Sequence, residues 1–197
     1  ITTDSDIDGS RRTCCVSIDS AKASRIAGRL IGQFLNGQGK IAIISSAIET
    51  ENNNYYVRMR EQGFTDFIRR EYPEIEIVSC IESFEDPQIT YRKTTELLKE
   101  QPELRGLYIT CGGVAQVGRA LIESGRADSI RVLCYEDYPE IVELIRQGVV
   151  DWTLGGEKAA QGSLPVKLIM DQLVFGRKPA TDRIFTDARI LIKECFE

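Results

Sequence analysis

Short runs rich in Ile, Val and Leu alternate along this chain with longer stretches whose apolar residues recur at helical spacing, and that alternation narrows the fold more than any other feature. The strand-length runs fall at 13–18, 40–45, 74–79, 106–110, 130–134 and 151–154. Helical patterns fill the intervals. The first, over 21–35, stacks Ile26, Leu30 and Phe34 beside Ala27, Ile31 and Leu35 and stops at Asn36-Gly37. A second, over 53–72, is ended by Pro73, and a third opens on Asp86 as N-cap with Pro87 in its first turn. Further helices are predicted over 114–124, 139–147 and 161–175, the last closed by Gly176.

Parallel strands need a crossover between them, and a helix is the usual one, so the pattern predicts an α/β fold with mostly parallel sheets covered on both faces. Such sheets bind ligands in the crevice at the carboxyl ends of their strands. Functional residues are therefore expected at Ser45-Ser46, 80–84, 111–113, 135–137 and Gly155-Gly156.

Composition removes several function classes. The chain has no histidine, which excludes Ser-His-Asp and Cys-His hydrolases and most zinc sites. Its net charge is −5 with no basic block, so a nucleic-acid surface is not expected within it. No apolar stretch approaches the ~18–20 residues needed to span a bilayer, and no membrane partner is expected. The six cysteines (Cys14, Cys15, Cys80, Cys111, Cys134, Cys195) form no C-x-x-C pair. Four sit in apolar, strand-like runs, which favours reduced thiols and a cytoplasmic setting. The chain opens on Ile1 without a signal-peptide layout, and the expectation is a piece of something longer.

Three motifs fail on inspection. The run Asp4-Ser5-Asp6-Ile7-Asp8-Gly9 starts like a calcium loop, but its twelfth position is Cys15 instead of glutamate. Gly37-Gln38-Gly39-Lys40 is followed by Ile41 where a phosphate loop needs Ser or Thr, and it precedes a strand instead of following one. Cys111-Gly112-Gly113 with Gly118 lacks dinucleotide spacing. There is no G-x-S-x-G elbow. No cofactor is expected, and the chain reads as a binding protein, not an enzyme.

Seven short segments, in order, carry a resemblance. They are Thr2-Thr3-Asp4-Ser5-Asp6, Val16-Ser17-Ile18-Asp19 leading into Ala27-Gly28, Lys40-Ile41-Ala42-Ile43-Ile44, Arg60-Glu61-Gln62-Gly63-Phe64, Gly118-Arg119-Ala120-Leu121, Glu136-Asp137-Tyr138-Pro139 and Gln161-Gly162. From residue 1 to about 179 the chain resembles the effector-binding core of the lactose-repressor (LacI/GalR) transcription regulators, whose fold also serves the periplasmic sugar-binding proteins. The resemblance implies the type I periplasmic-binding-protein fold: two Rossmann-like subdomains clamping a small sugar-like effector, one complete here and one partial. It places residues 39–155 in the complete C-terminal subdomain. Residues 1–38 and 156–197 fall to the N-terminal one, the latter carrying the last hinge crossing. It further implies a homodimer that meets DNA only through a headpiece absent from this chain, and apolar sheet faces left uncovered on the partial subdomain. The alternative setting is an extracytoplasmic sugar-binding protein of a transport or sensing system.

Carried over residue by residue, the resemblance gives a candidate pocket. Arg60, three residues before Gly63, stands where a guanidinium forks onto sugar hydroxyls. The residues alone also allow a surface ion pair on a helix with Arg58 and Glu61. Phe84 stands where an aromatic stacks on a sugar ring, although a core phenylalanine fits the same run. Glu136 occupies an aspartate position whose carboxylate accepts hydroxyl hydrogen bonds. Asp4 and Ser5 match a polar pair of the N-terminal subdomain, with Ser5 replacing a frequent arginine, and Tyr56 falls on the pocket wall. Two positions depart from the pattern: an expected asparagine is Gly112 and an expected glutamine is Gly156. Both losses predict a roomier pocket, one completed by water, a less hydroxyl-rich ligand, or a site no longer used.

Overall fold

The computed structural model describes residues 1–6, 9–46 and 55–197. The predicted start of the second helix at 53, and Ile7 and Asp8 of the calcium-like run, lie outside the described residues. Among those described, the chain order is β1 (Thr2–Thr3), β2 (Cys15–Ile18), α1 (Ser20–Phe34), β3 (Gln38–Ser45), α2 (Tyr55–Glu71), β4 (Glu74–Glu82), α3 (Pro87–Glu100), β5 (Leu104–Ile109) and α4 (Val114–Glu123). It continues with β6 (Arg131–Tyr135), α5 (Pro139–Arg146), β7 (Trp152–Gly156), α6 (Lys158–Phe175), β8 (Arg183–Thr186) and β9 (Ala188–Leu191).

The strands form two sheets, a three-stranded one ordered β1-β2-β8 and a six-stranded one ordered β4-β3-β5-β6-β7-β9. Every pairing is parallel except β7 with β9. The α/β class expected from the alternation is what the chain adopts. One layer of the large sheet's core joins α1 and α2 to Ile41, Ile43, Tyr108 and Leu133. The other joins α3, α4 and α5 to Ala42, Ile44, Leu107, Ile109 and Val132. Adjacent strand residues thus face opposite layers, as the pleat requires.

Local signals explain the element ends. Asp19 accepts a hydrogen bond from Lys22 N at 2.9 Å to open α1, and Asp86 accepts one from Ile89 N at 2.8 Å to open α3. Gly176, at φ 65°, closes α6 in the left-handed conformation. Two glycines let α1 sit tightly on α2: a Cβ at Gly28 would meet Phe67 at 2.6 Å, and one at Gly32 would meet Tyr72 at 2.1 Å. Beneath them Phe64 stacks on Tyr108 with ring centroids 4.1 Å apart.

Three expectations are corrected. The division at residue 38 does not follow the packing, because Ala23, Ala27, Ile31 and Leu35 of α1 are buried in the large sheet's core. Helical spacing shows that α1 has an apolar stripe but not which sheet the stripe covers. Residues 156–197 return to the small sheet and cross once more, as expected, but the crossing ends in a strand of the large sheet, so the segment does not belong wholly to the small one. After β8 joins β2 there, β9 pairs antiparallel with β7 and closes that edge of the large one. Strands β1, β8 and β9 were not expected, being two to four residues long and interrupted by charged or polar side chains.

Exposed apolar side chains concentrate on α6, where Val166, Met170, Leu173, Val174 and Phe175 are each more than half exposed. The uncovered apolar surface is therefore mainly a helix face, where sheet faces were expected, and all four residues of β2 are buried. Among the described residues no helix is long and apolar enough to cross a membrane.

Candidate functional site

The carboxyl ends of β5 and β6 and the first turns of α2 open onto a cleft of about 660 Å³. Asp4 and Ser5, after β1, face it with Lys158 and Gln161 of α6, which packs against β1 and β2. Both sheets thus contribute walls. Of the candidate residues, Asp4, Ser5, Tyr56, Arg60, Gly112 and Glu136 line this cleft.

Arg60 is the most constrained of them. Its Nη1 donates to Thr110 O at 3.1 Å, and its guanidinium carbon lies 3.8 Å from the centroid of the Tyr135 ring. That ring is itself fixed, because the Tyr135 and Tyr108 hydroxyls share a hydrogen bond of 2.7 Å. Arg60 Nε is closed off from solvent yet has no hydrogen-bond partner. A buried donor left unpaired costs ~1–3 kcal/mol, so an arginine held this way is set to receive an acceptor. This geometry replaces the surface ion-pair alternative.

Glu136 sits at φ 71°, where a side chain is strained. Strand β7 imposes that conformation: Glu136 N donates to Leu154 O at 3.0 Å, and its own carbonyl accepts from the Thr153 hydroxyl. Burial raises the Glu136 carboxyl pKa above the usual range; Arg60 opposes the shift, while the facing Asp4 adds to it. Lys158 also lies near but is ion-paired with Asp137. Tyr56 ties the walls together, its hydroxyl donating to Ser17 Oγ of β2 at 3.0 Å and lying 3.4 Å from Cys15 Sγ.

Phe84 does not line the cleft. It and Glu85 both adopt left-handed backbone, at φ 54° and 56°, and Phe84 is 49% exposed with Lys93 Nζ 5.5 Å from its ring. The double turn brings Glu85 to the cleft in its place. Nothing in the types Phe and Glu announces positive φ, so the position that the resemblance implies for Phe84 falls to Glu85. Gly156 also lies off the lining. A Cβ there would fall 2.4 Å from Gln161 Nε2, so the amide missing from β7 arrives from α6. Beside Gly112, a Cβ would meet Glu85 Oε2 at 3.6 Å. Ser45 is buried, accepting from Thr110 Oγ1 at 3.1 Å, and Cys80 lies on the outer strand β4. Tyr138, 56% exposed on the cleft, is not among the candidate residues; its place just before the helix-opening Pro139 is the sequence signal for it.

Comparison with known proteins matches residues 1–178 to the family described as the periplasmic binding protein domain. The chain belongs to that family. No curated protein sequence matches it. Among solved structures it is similar to GanP, a glucose-galactose binding protein from Geobacillus stearothermophilus, at 25% identity and TM-score 0.86, covering 99% of this chain and 68% of that one. It is also similar to an ABC transporter solute-binding protein from Burkholderia graminis solved with D-arabinose, at 22% identity and TM-score 0.88, covering 98% and 66%. A sugar ABC transporter sugar-binding protein from Bacillus halodurans matches at 21% identity and TM-score 0.87, covering 98% and 68%. This periplasmic binding protein domain therefore spans about two thirds of the length of those structures, and its fold is the type I arrangement of two parallel-sheet subdomains. Among the described residues no group of three or more Cys, Asp or Glu side chains is placed to hold a metal ion.

Proposed function

We propose that this chain holds a sugar-sized, hydroxylated small molecule in the cleft between its two subdomains, and that contacts from both walls favour a closed arrangement. The observation that carries this is the pre-set arginine: Arg60 lines the cleft, lies over the Tyr135 ring, is tied to Thr110 O, and has one buried donor, Nε, without a partner. Glu136 and Asp4 supply acceptors from opposite walls, and the 660 Å³ volume suits a monosaccharide with bridging water. The sugars named for the similar structures support the same ligand class. Binding and release account for the function without a chemical step.

Two settings use such a clamp. In the first, the chain is the effector-binding core of a LacI-type regulator, cytoplasmic and dimeric, in which closure repositions DNA-binding headpieces. In the second, it delivers its ligand to a transporter or receptor outside the cytoplasm. The transporter-associated proteins among the similar structures favour the second, whereas the free thiols at Cys14, Cys15 and Cys134 favour the first. Titration calorimetry of the intact protein against monosaccharides tests the shared reading, with one ligand expected at roughly micromolar Kd. Heat from none of them removes it. Cell fractionation separates the settings, since the regulator stays with the cytoplasm and its DNA.

A further inference from the structure

Among the described residues the charges on the cleft are unbalanced. Asp4, Glu85, Glu136 and Glu140 line it against Arg60 and Lys158, and Lys158 is already ion-paired with Asp137. Three of these carboxylates, Asp4, Glu85 and Glu136, sit on backbone at φ 64°, 56° and 71°. Positive φ on residues other than glycine is uncommon, and it persists where neighbouring bonds impose it. Here they do: Asp4 N donates to Val16 O at 2.9 Å, Glu85 N to Ser83 Oγ at 3.2 Å and Glu136 N to Leu154 O at 3.0 Å. The fold thus accepts strain at three places to turn carboxylates toward one cavity.

Hydrogen-bonding capacity is skewed the same way. Ionised carboxylates only accept, and on the cleft wall Gly112 carries no side-chain donor, while the amide beside Gly156 is that of Gln161. A neutral sugar offers its hydroxyls as donors and acceptors alike and leaves the excess negative charge unanswered. A protonated amine offers three donors and a positive charge.

We propose that the cleft is selective for an aminated sugar, a hydroxylated ring whose ammonium group lies between the carboxylates of Asp4 and Glu136. Arg60 then takes the ring hydroxyls or ring oxygen through its guanidinium on the cleft wall, and Glu85 adds to the negative potential beside Gly112. Acidic sugars are excluded, because their carboxylate meets like charge on both walls. This inference rests on the proposed sugar-binding function and adds the charge of the ligand to it.

The test is calorimetry of the intact protein at pH 7 and low ionic strength. The probes are glucosamine, galactosamine and mannosamine, their N-acetyl forms, the parent neutral hexoses, and glucuronate and galacturonate. One amine is expected to bind at least about tenfold tighter than its parent hexose, with N-acetylation abolishing the gain and the uronates giving no heat. Asp4→Asn is expected to shrink the amine's advantage, as is raising the salt concentration. A neutral hexose that binds as tightly as its amine overturns the inference and leaves the sugar-binding function standing. Absence of binding by every probe overturns both.

Discussion

Replacing Arg60 by alanine separates binding from folding, and the structure gives both magnitudes. The native side chain gains a charge-assisted hydrogen bond to Thr110 O, ~1.5–3 kcal/mol, and a cation–π contact with Tyr135, ~0.5–2 kcal/mol. Against these stand the unpaired buried Nε, ~1–3 kcal/mol, and the entropy of holding a long side chain still, up to ~2 kcal/mol. The middles of these ranges nearly cancel, so Arg60→Ala should change unfolding free energy by about 1 kcal/mol. The ligand, in contrast, loses a desolvated charged donor. Its affinity should fall by roughly 2–4 kcal/mol, about 30- to 1000-fold. Urea titration measures the first quantity and calorimetry with the tightest-binding sugar measures the second. Unchanged affinity, or a loss of stability as large as the loss of binding, would refute the assignment of Arg60 to the ligand.

Other perturbations probe the scaffold. Because burial raises the folded-state pKa of Glu136, its charge costs stability once the pH exceeds the unfolded carboxyl pKa; Glu136→Gln should therefore raise Tm at pH 7, with the gain vanishing as the pH falls through that pKa, while ligand affinity drops. Thermal melts over a pH series check this, and a Tm below wild type at pH 7 would contradict it. Gly32→Ala drives a methyl into Tyr72 and should cost about 1–3 kcal/mol, lowering Tm by roughly 2–12 °C in a calorimetric scan. Asp6, buried between Arg12 and Arg183, joins the segment after β1 to β8, so Asp6→Asn should cost about 3–5 kcal/mol by urea titration.

Much of the large sheet was legible because its strands are continuous apolar runs, and Asp19, Asp86 and Gly176 mark helix ends through chemistry that acts within a few residues. The missed strands β1, β8 and β9 are stabilised by the neighbours they pair with, which no local window contains. The same division runs through the site. Glu136 was legible because a strand end fixes where it stands, whereas Arg60 came from the resemblance, which places it three residues before Gly63. The exchange of Phe84 for Glu85 depends on two consecutive left-handed residues, and the replacement of a strand amide by Gln161 depends on how α6 lies against β7. Both are tertiary outcomes. The boundary at residue 38 failed for a related reason, since Gly28 and Gly32 reveal their purpose only when Phe67 and Tyr72 lie against them.

A crystal structure of the protein with its tightest-binding sugar tests the central claim most directly. Ligand density should fill the space between Asp4 and Glu136, with an acceptor oxygen about 3 Å from a nitrogen of the Arg60 guanidinium. Density at any other place, or a bound ligand that makes no hydrogen bond to Arg60, would contradict the account.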